Sequence, residues 1–293
     1  MEFKELVGSL TEIQRRVDVE LSCLLPREDC APPRIHQAMR YSIFAGGKRL
    51  RPFLVWLGAQ AAGGRIDDRR VFAVGAALEM IHTYTLIHDD LPCMDDDDLR
   101  RGKPTCHKQF DEATAVLAGD ALYAQAFVVL AESANLPVIK LIADMSGSCG
   151  IVGGQIMDIA AEGQSVTPEM LEYIHTHKTA LFISSSLQAG AMLIDPDHFM
   201  IPCLKEYGDR IGLAFQIVDD ILDITSSEEM LGKPIGSDVG LNKATYPALF
   251  GLEISRQKAQ NLIAEALEIV RRDQLSPQII YTQLAQYFIE RQH

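Results

Sequence analysis

Ile87–Thr105 reads IHDDLPCMDDDDLRRGKPT and sets six aspartates (Asp89, Asp90, Asp95, Asp96, Asp97, Asp98) within ten positions, followed at once by Arg100, Arg101 and Lys103. Four of these acids are consecutive, and like charges so close repel unless cations or counter-charged groups stand nearby. Carboxylate oxygens are hard ligands suited to Mg²⁺, which takes one or two of them and fills its other positions with water and phosphate. A guanidinium fork grips phosphate oxygens in pairs, so the adjacent arginines suit the other half of such an arrangement. The stretch therefore asks for a metal-bridged phosphate or diphosphate. The alternative is a solvated acidic loop. A calcium loop of the EF-hand type, counted from Asp95, meets Arg100 where glycine is required.

Upstream of that stretch, Arg70 to His88 is apolar on most sides, the mark of a helix in the middle of a bundle. Helical periodicity dominates the rest of the chain, with no convincing alternating run. The pattern predicts helices over residues 2–24, 34–45, the segment starting at FLVWLGAQAA, 112–131, 138–160, 170–191 and 203–225, and two more at the C-terminal end. Thr167-Pro168-Glu169 reads as a helix start. No low-complexity linker divides the 293 residues, so the expectation is one all-α domain over 1–293, a bundle of about ten to twelve helices around a central cavity. No fixed period supports a solenoid.

Composition narrows the partners. Hydrophobic residues make up 47% of the chain and the formal charge is −13, which argues against nucleic acid, whose binders need a basic footprint. An acidic protein that handles an anion must concentrate positive charge locally. The six cysteines (Cys23, Cys30, Cys93, Cys106, Cys149, Cys203) form no Cys-x-x-Cys and read as reduced thiols of a cytoplasmic protein. His88, Cys93, Cys106 and His107 lack regular zinc spacing. The N-terminal segment does not read as a signal peptide, and no run of 18 uninterrupted apolar residues predicts a membrane span.

A second acidic cluster lies in Gly208–Thr225, GDRIGLAFQIVDDILDIT. At about 100° per residue, Ile211, Phe215, Val218 and Leu222 form a core stripe, and Gln216, Asp219 and Asp223 flank it, with Asp220 just beyond. An exposed acidic edge is one reading. The other is that two acidic clusters on apolar helices, 130 residues apart from Asp89 to Asp219, face each other across a bundle interior, where sites are commonly built.

DDLPCMD (Asp89–Asp95) and DDILD (Asp219–Asp223), together with GGKRLRP, RRGKPT, HKTA and GKPIGSD, closely resemble the trans-isoprenyl diphosphate synthases, and among them the bacterial farnesyl type. The resemblance covers the chain from about residue 35 onward. It implies a homodimer that ionises an allylic diphosphate, dimethylallyl or geranyl, and lets isopentenyl diphosphate attack the cation. On that reading Asp89, Asp95 and Asp219 hold three Mg²⁺, with Mn²⁺ as a substitute. Arg100, Lys178 and Lys233 contact the allylic diphosphate, with Lys243 near it. Gly47, Lys48, Arg51, His82 and Arg101 cradle isopentenyl diphosphate, while Lys178, Thr179 and Gln216 line the carbocation. Helix geometry puts His82 and Asp89 on nearly the same face, about 10 Å apart along the axis.

Tyr84, at the fifth position before the first motif, matches the family position that sets product length, and an aromatic there resembles synthases of farnesyl diphosphate. A small residue would suggest geranylgeranyl. Wheel geometry places Thr85, not Tyr84, beneath Asp89. Geranyl and geranylgeranyl synthases, terpene cyclases, head-to-head synthases and catalytically silent subunits are the other readings. The last three would not be expected to keep GGKRLR, the second arginine of RRG and both acidic motifs together. On a straight helix Asp89 and Asp95 stand about 240° apart, so the pairing of these two requires the helix to unwind near Pro92.

Overall fold

The computed structural model describes residues 3–225 and 245–290. In chain order these form α1 (Lys4–Leu24), α2 (Pro33–Ile43), α3 (Leu50–Ala61), α4 (Arg69–Asp89), strands β1 (Leu99–Arg100) and β2 (Lys103–Pro104), α5 (Cys106–Gln109), α6 (Glu112–Ser133), α7 (Leu136–Ser146), α8 (Ile151–Ala161) and α9 (Pro168–His175). A π-helical turn over Thr176–Ala180 leads into α10 (Leu181–Ile194), followed by α11 (Ile201–Thr225), α12 (Tyr246–Phe250), α13 (Leu252–Arg272) and α14 (Gln278–Glu290). Among the described residues twelve helices have eight residues or more, and the architecture is all-α. Lys233, Lys243 and the GKPIGSD motif lie outside the described residues.

Three helices make the interior. Every residue from Pro52 to Ala59 in α3, from Val71 to Ile81 in α4 and from Phe182 to Ala191 in α10 is buried. Such all-round apolar sequences are stable as helices only when sheathed by others. The third helix packs on α4 and α10, α10 on α11, and α11 on α13. The helices that sheathe them are amphipathic: α1 buries Leu6, Ile13, Val17 and Leu21, a stripe with helical spacing.

Three departures from the sequence reading matter for the site. The expected helix 138–160 is two, interrupted between Ser146 and Ile151, where a Cβ at Gly150 would lie 1.9 Å from the Met145 carbonyl oxygen. The expected helix 170–191 contains the π turn, which rotates Lys178 and Thr179 relative to a regular helix. LRRGKP, read as loop, is a two-stranded hairpin with Arg101 and Gly102 at φ 54° and 74°, the backbone that a tight hairpin turn demands. Length and composition would also let Arg69–Asp89, Glu112–Ser133 and Leu136–Ala161 cross a membrane, which the criterion of uninterrupted apolar residues did not register. In the first of these, 72% of the apolar window is packed inside the protein.

Candidate active site

The fourth helix ends at the first acidic motif. Asp90 caps it, and Pro92 follows; the chain then turns back so that the Asp95 N–H donates to the Asp89 carbonyl at 2.8 Å and the Asp96 N–H to the Leu91 carbonyl at 3.1 Å. The unwinding near Pro92 thus occurs, and it brings Asp95 back beside Asp89. A cavity of about 760 Å³ opens at this point, and Asp89, Asp95, Asp97, Asp158, Asp219 and Asp220 all reach its wall. The two acidic segments do face one cavity.

The aspartates divide by partner. Asp90, 3% exposed, is held by Arg100, whose Nε and Nη2 lie 2.6 and 2.5 Å from Oδ1. Asp97 shares the same guanidinium at 3.2 Å, and Asp98 pairs with Lys108 at 2.7 Å. Of the three acids of the second motif on α11, Asp219 is exposed, whereas Asp220 and Asp223 are buried. Asp220 accepts from Gln216 Nε2 at 3.1 Å and from the Tyr246 N–H at 2.9 Å, with His175 Nε2 at 3.4 Å. Burial lifts the Asp89 carboxyl to about 6, helped by Asp95 and Asp90 and opposed by Lys178 and Arg100. Burial likewise lifts Asp90 to about 6 even against its bond to Arg100.

The donor set fits Mg²⁺: hard carboxylate oxygens, one of them buried and short of positive charge. Among the described residues no three His, Cys, Asp or Glu side chains already form a cage around an ion. An octahedral ion that keeps water and phosphate in its shell does not need one.

Lysine 178 arrives from the π turn. Its ammonium donates to Asp158 Oδ2 on α8 at 2.6 Å, and although burial pulls its pKa down, Asp158, Asp89 and Asp95 outweigh it and hold the group charged. The close approach of α8 depends on Gly154, where a Cβ would stand 2.5 Å from the Lys178 nitrogen. Thr179 Oγ1 donates to Gln216 Oε1 at 2.8 Å, and both residues line the cavity. Asp158 was not singled out from the sequence. Its only signal there was the Gly-Gly pair one turn upstream.

A cationic corner forms the other end. Arg51 and His82 line the cavity; the Arg51 guanidinium sits 4.8 Å over the Phe182 ring, and His82 meets the same ring edge-on at 6.2 Å. Burial, then Arg51, Arg101, Arg100 and Arg49, push the His82 imidazole well below its usual pKa, so it stays neutral. The Arg51 Nε is buried with no hydrogen-bond partner among the described residues. Adjacent hairpin residues point apart: Arg100 turns to the acidic wall, and Arg101 Nη1 donates to the Gly46 carbonyl. Gly47 faces the Arg101 guanidinium so closely that a Cβ would lie 2.7 Å from Nη1. Lys48 donates to Tyr287 Oη at 2.9 Å. Gly47, Lys48 and Arg101 are not on the wall of the main cavity.

The rest of the wall is largely apolar, with Ile151, Val152, Ile156, Ile159 and Phe215. Tyr84 and Thr85 both reach it. Tyr84 packs edge-on against Tyr123 at 4.9 Å and His88 at 5.3 Å.

Residues 32–283 match the model of the polyprenyl synthetase family. The chain is 43% identical over 285 residues to a farnesyl diphosphate synthase of Bacillus subtilis, covering 94% of this chain and 95% of that protein. It is 45% identical over 271 residues to a geranylgeranyl diphosphate synthase of Cyanophora paradoxa, covering 90% and 89%. Among solved structures, a geranyltransferase from Helicobacter pylori, complexed with magnesium and isoprenyl diphosphate, superposes with a TM-score of 0.82 at 32% identity over 95% of each chain.

Proposed function

Because this chain belongs to the polyprenyl synthetase family, we propose that it is a trans-prenyltransferase that adds isopentenyl diphosphate to geranyl diphosphate in one round, or to dimethylallyl diphosphate in two, giving farnesyl diphosphate and releasing one pyrophosphate and one proton in each round. The observation that carries the reading is one cavity lined by carboxylates of both acidic motifs, by Arg51 and His82, and by apolar side chains.

Asp89, Asp95 and Asp219 would hold Mg²⁺, three ions in all, with Mn²⁺ able to substitute. Bound there, the metal neutralises charge on the departing pyrophosphate, the kind of electrostatic assistance that dominates such reactions. Arg100 and Lys178 bind the same allylic diphosphate, each kept oriented by a carboxylate, Asp90 and Asp158. Lys233 and Lys243 carry the same assignment from beyond the described residues. The Thr179 hydroxyl commits its proton to Gln216, so its oxygen lone pairs face the allylic cation. Arg51, His82, Arg101, Lys48 and the Gly47 backbone take the isopentenyl diphosphate, which needs cations of its own. A neutral His82 donates one N–H there without adding charge. No side-chain nucleophile is required.

Tyr84, backed by Tyr123, limits the depth left for the growing tail and favours a fifteen-carbon product. Similarity alone does not separate products, since relatives named for two chain lengths stand at nearly equal identity. The protein works as one domain, since one core cluster runs from Leu6 to Phe288, and as a cytoplasmic homodimer. An apolar stripe on α6, with Val116, Leu117 and Val128 at 40, 56 and 50% exposure, supplies a self-complementary face.

The test is incubation with labelled isopentenyl diphosphate, geranyl diphosphate and Mg²⁺, followed by chromatography of the dephosphorylated products. Labelled farnesol is expected. Absence of incorporated label would sink the synthase reading; a twenty-carbon alcohol would overturn the product; a cyclic hydrocarbon from farnesyl diphosphate alone would point to a cyclase.

A further inference from the structure

The loop that carries Gly47 and Lys48 has an unusual backbone. Gly46, Gly47 and Arg49 have φ of 115°, 126° and 49°, and an arginine in the left-handed region persists only where its surroundings over-determine it. Arg49 is 3% exposed and its guanidinium is fully engaged. Nε meets Asp18 Oδ1 at 2.9 Å, Nη1 meets Glu79 Oε1 at 3.0 Å, and Nη2 donates to the Ile43 carbonyl at 2.8 Å. A second tie lands on the loop from the same direction: Gln14 Nε2 donates to the Gly47 carbonyl at 3.2 Å. Both Gln14 and Asp18 belong to α1, which lies wholly before the residues that match the family model.

The far side of the loop is tied to the last helix. Lys48 donates to Tyr287 Oη, whose ring meets Phe3 edge-on at 5.9 Å. The two terminal helices are fastened to each other where Gln283 accepts from the Leu6 N–H at 2.9 Å and donates to Glu5 at 2.8 Å. The loop is thus gripped on one side by α1 and on the other by α14.

We propose that Gln14 and Asp18 of α1 are positioning residues for the isopentenyl diphosphate cradle, holding the Gly46–Arg49 loop in the one backbone conformation that presents Gly47 and Lys48 to the diphosphate. The proposal rests on the assignment of that loop to isopentenyl diphosphate. Neither side chain touches substrate. Neither contacts the acidic pole, so the effect of losing them falls on one substrate only. A carboxylate is needed at position 18 because the buried guanidinium of Arg49 otherwise has Glu79 as its sole acid; an amide keeps the shape and loses the charge.

Gln14→Ala and Asp18→Asn test this, with Asp18→Glu as the conservative control. Loss of the Gln14 hydrogen bond to the loop, or of the charge that pairs Arg49, predicts a KM for isopentenyl diphosphate raised about fivefold in each variant. The KM for geranyl diphosphate and kcat stay within about twofold, and Asp18→Glu recovers most of the loss. Hydrogen exchange of the peptide spanning Ala45–Leu50 should speed up by a similar factor while α4 and α10 keep their protection. Unchanged exchange and unchanged isopentenyl KM overturn the proposal. So does a parallel rise in both KM values with a fall in kcat, which marks α1 as general scaffold. If the unaltered protein incorporates no isopentenyl diphosphate, the proposed function falls, and the exchange measurement still reads the grip of α1 on the loop.

Discussion

The two poles of the cavity have opposite electrostatic imbalances. Among the described residues, carboxylates at the acidic pole outnumber the cations that reach them, and burial leaves Asp89 and Asp90 with carboxyls raised to about 6. At the cationic pole, arginines gather around a neutral His82, and burial with Arg101 lowers even Arg51 to about 10 against the opposing pull of Glu79. Each pole lacks what a substrate brings, but not the same thing. The acidic pole needs divalent cations before a diphosphate is welcome; the cationic pole accepts a bare diphosphate. On the proposed function, that difference corresponds to metal-dependent binding at one end and metal-independent binding at the other.

The sharpest way to break that contrast is to remove charge from one pole and read both. Asp89→Ala should lower kcat by about a thousandfold or more, since it takes away a ligand for the ions that stabilise the leaving group. Calorimetric titration with isopentenyl diphosphate in metal-free buffer should be unchanged within about twofold. Weakening of both together would mean that the poles are one electrostatic unit. Arg51→Gln is the mirror experiment, with a smaller effect. Losing one charge-assisted contact predicts about a hundredfold rise in the isopentenyl KM, while metal-dependent binding of the allylic diphosphate, followed by the same titration, is retained.

How much of this was legible beforehand also differs between the poles. The acidic pole could be read because like charges at short spacing on apolar helices have few explanations, and the geometric demand for unwinding near Pro92 was met by the turn after Asp90. The wheel flanked the α11 core stripe with Asp219 and Asp223, but it is Asp219 and Asp220 that reach the cavity wall, and it did not show that Asp220 would be buried as a hub for Gln216 and the Tyr246 backbone, because that depends on which helix covers it. Asp158 went unread since a lone aspartate on an apolar helix carries no signal until the π turn places Lys178 opposite. The hairpin that splits Arg100 from Arg101 was hidden by its length, two residues per strand. The grip on the GGKR loop joins it to α14 across 239 positions, from Lys48 to Tyr287, and to α1 across 33, from Gly47 to Gln14, and no local pattern encodes either.

A stability measurement sharpens the account of the acidic pole. For Asp89 the folded pKa lies above the ordinary 3.8, so the folded metal-free protein holds its proton more tightly than the unfolded chain does. Stabilisation from that proton is complete below about pH 4 and is lost as pH rises through about 6. The shift is worth on the order of 3 kcal/mol. Metal-free protein should therefore melt at a higher temperature at pH 5 than at pH 7.5 by differential scanning calorimetry, as far as this group is concerned. Asp89→Asn should reduce that difference, and Mg²⁺ with pyrophosphate should reverse it. An equal pH difference in Asp89→Asn would remove Asp89 as its source.

The smallest kinetic effect is expected at Tyr84, which lines the cavity without charge. Tyr84 stands on the same helix as His82 and Asp89 but points into the aromatic group with Tyr123. Tyr84→Ala deletes a ring without touching a charge. Both KM values should stay within about twofold, because the groups that bind each diphosphate keep their partners. The product should change, with alcohols longer than fifteen carbons appearing on chromatography as the tail enters the space the ring had filled. If the product stays at fifteen carbons, Tyr84 is not the floor, and Tyr123 behind it becomes the residue to truncate. If instead either KM moves by tenfold, the apolar wall is mechanically coupled to a pole, and the division of the cavity into independent ends no longer holds.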